Sequence, residues 1–556
     1  MKVTFIRKIL NANNNRIGKN LTTVLFLKNY DIRVRVISEV AISSASLQEN
    51  VETFLDLGWV VDTRFHPMFC MLSKESPDYS DMVRIPTKKM DRHTVIVAQS
   101  GSGKSFFLGR LVEEILIKSK ARCLILDPDG DFRRINEIDE GLWSSNEILR
   151  QRYDTKTGRG KLTLETKEEF AKKWRPIIDE IVIKTNRVPK EPDDEELKIW
   201  WPTISLEFLV PSDHPRSTEM FHCHNWAKQL FNQFAQLSDD TNREDIISKV
   251  KNIFKTLQEM PNEERIKLKE KLRTDGEKMG ESLTRIGIDT TGTKVSKILR
   301  NAIKSGSLYD SLISLGAASL GNESIEKAKF VFESYSWETV NSYFGLIERY
   351  QSLGILANRP YSSKNQKRLE VVDLPSISNN ELRAVVLNSI LTEEWENAVK
   401  KWEEATKHPS DEDRRVPTFI VLDEAHNFIP SNPRSRYESL VREQFRTIAA
   451  EGRKFGLFLI LVSQRPDKLD NLVLSECGNK AILRLDSQSM VDKVINSLGL
   501  EFDIPSSERK KIVNFRTGIG ILAGNWASEY DVFYSAARRT PEGGRNLEDK
   551  YWAKPF

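Results

Sequence analysis

Short runs of apolar residues recur along this chain, and several are followed by stretches with helical spacing. Five runs have the length and the aliphatic or aromatic content of buried strands: TVIVA at 94–98, CLILDPDGDF at 123–132, LEVVDL at 369–374, TFIVL at 418–422 and LFLILV at 457–462. Apolar residues with helical spacing follow at about 104–119, after 374, and at 437–448, where Gly456 is a plausible helix C-cap. Alternating strands and helices predict a parallel sheet covered on both faces, so the expected fold class is α/β.

The pattern changes before this alternation and in its middle. Residues 1–87 carry short alternating segments, LTTVLFL, IRVRV and WVVDTRF, which predict a small, mostly β module. From about 138 to 366 the chain is rich in charge and in long helical runs. We therefore expect five segments: a β module at 1–87, a first core part at 88–137, a mainly helical insertion at 138–366, a second core part at 367–540 and a tail at 541–556.

Composition narrows the class of protein only slightly. A length of 556 residues allows several domains, and a net charge of +4 is too small to indicate nucleic-acid binding. The four cysteines are scattered and show no disulfide framework, which fits a reducing compartment. The longest strongly apolar run, LFLILV, is far too short to span a membrane. We expect a soluble, cytoplasmic protein with no membrane partner.

The segment TVIVAQSGSGKSFF at 94–107 has the layout of a phosphate-binding loop between a strand and a helix. Backbone N–H groups of a glycine-rich turn can close around a phosphate, helped by the dipole of the following helix. Lys104 would reach the β- and γ-phosphates, and the Ser105 hydroxyl would bind Mg²⁺. We expect ATP and Mg²⁺ as cofactors, bound by Gly101, Ser102, Gly103, Lys104, Ser105 and Phe106.

Two carboxylates follow the strand TFIVL directly. Asp423 suits the ordering of Mg²⁺, and Glu424 suits the orientation and deprotonation of an attacking water. Gln464 follows the strand LFLILV, at the edge of a parallel sheet where ligands bind, and could sense the γ-phosphate. An ordinary polar loop residue is an equal alternative for Gln464 on position alone. Together with the phosphate loop, the carboxylates predict hydrolysis of a nucleoside triphosphate.

These motifs resemble the HerA branch of the HerA/FtsK ATPases. The similar segments, within about 88–137 and 369–540, are AQSGSGKS, DPDGDF, VLDEAHNF, AAEGRKFGLFLILVSQRP and LDNLVLSECGNKAILRL. The resemblance implies a RecA-like core, a homohexameric ring and ATP-driven movement of double-stranded DNA through a central channel. It also implies an N-terminal β-barrel, which residues 1–87 could form in a shortened version.

The resemblance also implies roles for particular residues. It supports Lys104, Ser105, Asp423 and Glu424 in the roles given above, and it makes Gln464 a sensor. Arg453, in EGRK, matches an arginine thought to act across the subunit boundary. Arg92 matches another family arginine near the nucleotide, and a surface ion pair is the alternative for both arginines. Asp131 stands where the family commonly has glutamate, which keeps the charge but shortens its reach.

Three function classes stay open. The first is a DNA-translocating motor that serves a partner effector, either a NurA-like nuclease or a sirtuin-like NADase, in anti-phage defence or in DNA end resection. The second is a monomeric DEAH-box helicase, which a single recognisable core and the absence of a QRxGRxxR-like motif oppose. The third is an ATPase ring that mainly organises its partner. The sequence favours the first.

Overall fold

The computed structural model of the protein describes most of the ATPase-like core predicted above. The described residues are 53–62, 71–72, 82–140, 142, 167–188, 194–200, 203–210, 213–217, 220–221, 224, 228, 337–357, 366–407, 413, 415–500, 503–527 and 530–543. The segment Thr53–Phe556 forms one compact unit. The predicted strands LTTVLFL and IRVRV lie outside the described residues, so a barrel there stays a prediction.

The strands and helices alternate along much of the described chain. The strands are β1 (Phe54–Asp62), β2 (Met71–Leu72), β3 (Met82–Pro86), β4 (Thr94–Val97), β5 (Arg122–Asp127), β6 (Ile181–Thr185), β7 (Asp194–Glu196), β8 (Ile199–Trp200), β9 (Leu356–Ala357), β10 (Leu369–Asp373), β11 (Thr418–Leu422), β12 (Leu457–Ser463), β13 (Asn479–Leu483), β14 (Ile519–Gly524) and β15 (Tyr530–Ser535). The helices are α1 (Lys104–Lys118), α2 (Lys167–Ile178), α3 (Leu206–Leu209), α4 (Trp337–Ser352), α5 (Asn380–Lys407), α6 (Arg436–Phe455), α7 (Asn471–Ser475), α8 (Gln488–Ser497) and α9 (Ser506–Arg509). Short 3₁₀ helices cover Thr87–Met90, Leu374–Ser376, Ala425–Asn427, Pro466–Lys468 and Ile512–Asn514.

One large sheet organises the described chain. Its order is β2-β1-β15-β14-β13-β4-β12-β11-β5-β10-β6-β7, with β3 paired to β1. All neighbours from β13 to β7 are parallel. The strands on the other side of β13 pair antiparallel. The predicted α/β fold with a RecA-like parallel core is confirmed.

Both faces of the parallel sheet are covered by apolar packing. In β4, Val95 and Val97 belong to one buried cluster, whereas Ile96 belongs to the cluster on the opposite face. Leu124 and Ile125 divide in the same way in β5. Because side chains alternate across a strand, a strand buried on both faces shows the continuous apolar run that the sequence contains.

The core sheet also includes strands from two segments that the sequence places outside the core. Strands β1 and β3, within the predicted module at 1–87, pair with each other, and β1 pairs with β15 of the core. Strand β6, within the predicted insertion, pairs parallel with β10. The sequence hides β6 because its short IVIKT run follows a charged helix and ends in polar residues. Residues 229–336 lie outside the described part, so the helical insertion there stays a prediction.

Two smaller features concern the ends of elements. The predicted strand at 123–132 ends at Asp127, and residues 128–132 form a loop. Helix α6 ends at Gly456, which has a left-handed conformation, as predicted for a C-cap. No helix within the described ranges is long and apolar enough to cross a membrane.

Candidate active site

A tight loop connects β4 to the start of α1. Gly101 and Gly103 have φ angles of 70° and 94°, a region that glycine adopts without a steric penalty. The Ser102 hydroxyl donates to the Gln99 carbonyl oxygen at 2.6 Å, and the Gly518 N–H donates to the Ser102 carbonyl oxygen at 2.8 Å. A Cβ on Gly103 would lie 3.1 Å from the Gly518 nitrogen. The loop therefore has the geometry of a phosphate-binding loop, held from behind by the segment before β14.

Lys104 joins this loop to the two carboxylates that follow β11. Its Nζ donates to Asp423 Oδ1 at 2.7 Å and to Glu424 Oε1 at 2.5 Å, and all three side chains are buried. Burial opposes the charged form of Lys104, but the two carboxylates outweigh it and the pKa of Lys104 is raised. This contact confirms that β4 and β11, 319 residues apart at Lys104 and Asp423, end at the same place.

Glu424 is held in an uncommon backbone conformation. Among the described residues it is the non-glycine residue with a positive φ, 44°. Such a conformation costs on the order of 1–3 kcal/mol and persists where surrounding contacts enforce it. Gln464 Nε2 donates to Glu424 Oε1 at 2.5 Å, and His426 Nδ1 lies 3.3 Å from Glu424 Oε2. The predicted sensor and the predicted catalytic acid are therefore in direct contact.

The predicted Mg²⁺ ligands can be tested against the unpaired atoms of the site. Asp423 Oδ2 is buried and has no hydrogen-bond partner, so one oxygen of the predicted ligand is free to accept a cation. Burial raises the pKa of Asp423 to about 6, which a bound cation would lower again. Ser105 Oγ donates to Asp131 Oδ2 at 2.5 Å. Hydroxyl and carboxylate oxygens are ligands that Mg²⁺ prefers, so Ser105 and Asp423 fit the expected ion.

The loop after β5 brings Asp131, which stands where the family commonly has glutamate, into contact with Ser105. Asp127 Oδ1 accepts from the Gly130 N–H at 2.8 Å, and Asp127 Oδ2 accepts from the Phe132 N–H at 2.9 Å. This closed turn directs Asp131 toward Ser105. Burial raises the pKa of Asp127 to about 6, although the backbone donors oppose that effect. An aspartate three residues before a glycine is the sequence signal for such a turn.

The remaining loop contacts were not predicted. Arg484, directly after β13, has Nη2 at 3.4 Å from the Gly101 carbonyl oxygen, and Thr517 Oγ1 donates to the same oxygen at 3.1 Å. Arg484 reaches the loop because β13 pairs with β4, and Thr517 reaches it because β14 pairs with β13, neighbour relations that no local pattern shows. Phe106, predicted to bind the cofactor, is partly buried against one of the two apolar clusters.

Arg453 and Arg92 lie at the opposite edge of the sheet from the phosphate loop. Arg453 is exposed near the end of α6, just before β12 begins, and Arg92 precedes β4 and pairs with Asp91 at 2.9 Å. The seven residues of β12 separate the two edges by about 20 Å. An arginine side chain cannot cover that distance, so neither residue joins the phosphate loop of its own chain.

Comparisons with known proteins agree with the motifs. The family described as "Helicase HerA, central domain" matches residues 76–394, more than half of the chain. The DNA double-strand break repair helicase HerA of Sulfolobus acidocaldarius is 31% identical over 193 residues, which cover 34% of this chain and 36% of that protein. The Pyrococcus furiosus protein of the same description is 32% identical over 148 residues, 23% of this chain and 26% of that protein. The matched part thus spans about a third or less of these relatives.

Among solved structures, VirB4 of Thermoanaerobacter pseudethanolicus is 14% identical, with a TM-score of 0.33 over 80% of this chain and 89% of that chain. The family match, rather than this distant structural likeness, decides the classification. The chain belongs to the HerA helicase family.

Proposed function

We propose that this HerA-family chain hydrolyses ATP in the site formed by Lys104, Asp423, Glu424 and Gln464. The convergence of Lys104 and Gln464 on the carboxylates after β11 carries the proposal. A lysine, two acids and an amide within hydrogen-bond distance are the groups that phosphoryl transfer to water requires. The relatives described as DNA double-strand break repair helicases support the same chemistry.

Each residue has a distinct task in the proposed reaction. On nucleotide binding, Lys104 leaves the carboxylates and pairs with the β- and γ-phosphates. Glu424 then accepts a proton from the attacking water, whose oxygen bonds to the γ-phosphorus while the bond to the β-phosphate oxygen breaks. The products are ADP and inorganic phosphate. Gln464, released from Glu424, hydrogen-bonds the water or the γ-phosphate. Mg²⁺ held by Ser105 and Asp423 would offset the charge of the phosphates.

The position of Arg453 supports a ring. Because β12 separates Arg453 from the phosphate loop of its own chain by about 20 Å, a nucleotide that Arg453 contacts would have to belong to a neighbouring subunit. A guanidinium supplied by a neighbour can raise the hydrolysis rate by several orders of magnitude. We propose a homohexamer in which Arg453, and with it Arg92 at the same edge, faces the nucleotide of the next subunit.

We propose that this ring moves along double-stranded DNA in the cytoplasm. We propose that it acts together with a partner effector enzyme, either a nuclease or an NADase. The helicase relatives support DNA as substrate, and we prefer an anti-phage role over end resection because the predicted insertion at 138–366 is long. A ring that mainly organises its partner is the second candidate. Stimulation of ATPase activity by long linear duplexes supports the motor, whereas hydrolysis indifferent to DNA supports the organising ring.

Substitution of Glu424 tests the chemistry. Glu424→Gln should retain ATP binding and lose at least 100-fold in turnover, because the amide cannot accept the proton from water. Lys104→Ala should instead weaken ATP binding. Glu403→Gln, an exposed residue on α5, is the control for the same change of side chain and should turn over normally. Near-normal turnover by Glu424→Gln would overturn the assignment.

Mixed rings test the shared site. Arg453→Ala and Glu424→Gln proteins should each be inactive alone, and mixing them should restore part of the hydrolysis. Some interfaces then combine an intact Glu424 with an intact Arg453 from the neighbour. Full ATPase activity in a strictly monomeric protein would contradict this proposal.

A further inference from the structure

His93 is buried where three elements meet at the amino edge of the sheet. It directly precedes β4 and is completely inaccessible to solvent. Its Nδ1 accepts a hydrogen bond from the Leu459 N–H of β12 at 2.8 Å. Its Nε2 lies 3.0 Å from the Ala449 carbonyl oxygen of α6. One imidazole ring therefore connects the start of β4, the start of β12 and the last turns of α6.

These contacts determine the form of the ring. Since Nδ1 accepts from a backbone N–H, the proton must lie on Nε2, which donates to Ala449. The ring is thus neutral, and burial together with the charge of Arg453 lowers the pKa of His93 to about 4, against the effect of the Ala449 contact. The His93 carbonyl oxygen accepts from the Asn479 N–H at 3.0 Å, so the backbone of the residue is fixed as well.

The helix end that His93 contacts is the one that carries Arg453. Ala449 is four residues, one helical turn, before Arg453. The same turn of α6 packs closely on the start of β12, because a Cβ on Gly452 would lie 3.1 Å from the Leu457 carbonyl oxygen. The N–H of Thr418, at the start of β11, donates to the Gly456 carbonyl oxygen at 2.9 Å. The exposed side chain of Arg453 therefore extends from a helix end whose backbone is fixed against the sheet.

We propose that His93 is a positioning residue for Arg453: its hydrogen bond to Ala449 fixes the last turn of α6 and so directs the guanidinium toward the neighbouring subunit's nucleotide. The proposal rests on the proposed role of Arg453. A histidine that merely fills the core would affect stability and assembly, whereas a positioning residue affects only the site that receives the arginine.

Two substitutions separate the hydrogen bonds of His93. Gln places an amide donor near the position of Nε2, so His93→Gln should keep the contact to Ala449. Asn places an oxygen near the position of Nδ1, so His93→Asn should keep the contact from Leu459 and lose the one to Ala449. We expect His93→Gln to retain turnover within threefold, and His93→Asn to lose at least tenfold in kcat with less than twofold change in KM for ATP. Ring mass and circular dichroism monitor folding.

Mixed rings then identify which site is damaged. His93→Asn mixed with Glu424→Gln should regain activity at about a quarter of the sites, because an intact neighbour supplies Arg453 to an intact Glu424. His93→Asn mixed with Arg453→Ala should regain none, since both proteins lack a placed arginine. Equal recovery in both mixtures, no recovery in either, or equal turnover of the Asn and Gln variants overturns the proposal. Unimpaired turnover by Arg453→Ala alone would instead refute the proposed role of Arg453.

Discussion

A network of buried ion pairs lies against α1, the helix that follows the phosphate loop, and burial sets how much stability its removal should cost. Arg539, in the segment after β15, pairs through Nε with Glu113 at 2.9 Å and through Nη2 with Glu114 at 2.8 Å, and all three side chains are at most 2% exposed. Its guanidinium also lies 4.6 Å from the centre of the Phe170 ring. Arg539→Ala would leave two carboxylates buried on α1 without this counter-charge.

The expected loss is large because the carboxylates cannot reach water. Removing one partner of a buried ion pair typically costs about 3–5 kcal/mol, a substantial share of the 5–15 kcal/mol that stabilise most proteins. The remaining contacts limit the loss. Arg110 still pairs with Glu114 at 2.9 Å, and the N–H and hydroxyl of Thr540 still donate to Glu113. The backbone N–H groups of Asp56 and of residue 539 also still donate to Glu114 and Glu113. We therefore expect Arg539→Ala to lower the free energy of unfolding by about 3 kcal/mol.

An exposed ion pair of similar geometry is the matched control. Arg415 binds Asp413 through two nitrogens at 2.6–3.0 Å, but the side chains are 30% and 52% exposed. Although this contact lowers the pKa of Asp413 to about 2, solvent screening should keep the cost of Arg415→Ala below about 1 kcal/mol. Equilibrium urea unfolding measures both variants. Equal losses for Arg539→Ala and Arg415→Ala would refute the reasoning that burial, rather than contact geometry, sets the magnitude.

Three further predictions concern single sites. Asp131→Asn should raise the Mg²⁺ concentration for half-maximal turnover about tenfold, because Asp131 orients the Ser105 hydroxyl. An unchanged Mg²⁺ requirement would contradict this prediction. The pKa of His93 is about 4, below its ordinary value of 6.5. The neutral ring therefore contributes fully to stability above pH 6.5, and roughly 3 kcal/mol of the free energy of unfolding is lost as the pH falls from 6.5 to 4. In urea titrations over this pH range, the free energy of unfolding of His93→Gln should fall by roughly 3 kcal/mol less than that of the native chain. Burial raises the thiol pKa of Cys123 and Cys477 to about 12, so mass spectrometry should find both unmodified by a thiol reagent at pH 8 until urea unfolds the protein.

The convergence of Lys104, Asp423, Glu424 and Gln464 could be predicted because each residue follows a strand that runs in the same direction. Lys104 comes after β4, Asp423 after β11 and Gln464 after β12, and the carboxyl ends of parallel strands meet at one edge. Apolar runs identify those strands without knowledge of their order. The sequence predicts strand for residues 128–132, because their aspartates and glycine directly continue an apolar run, whereas β5 ends at Asp127.

Other features depend on neighbours that no local pattern shows. Glu113 and Glu114 follow one another on α1, where charge normally indicates a solvated face, yet the segment after β15 covers both. Arg484 reaches the phosphate loop only because β13 lies beside β4. His93 acts at a junction of three elements, two of them more than 350 residues later in the chain. Such contacts are specified by tertiary packing rather than by periodicity.

The pairing of β1 with β15 has a consequence for synthesis on the ribosome. Gly58 lies opposite Ser535, so 477 residues separate the partners (535 − 58), and a Cβ on Gly58 would lie 2.0 Å from the Tyr534 carbonyl oxygen. At about 5–20 residues per second, β1 waits roughly 25–95 seconds for its neighbour to be translated. During that interval its unpaired edge is open to nascent chains on the same polysome. A product terminated before Tyr530 would keep the edges of β1 and β14 unpaired, so premature termination near the 3′ end of the message should give an aggregating protein rather than a weakly active one.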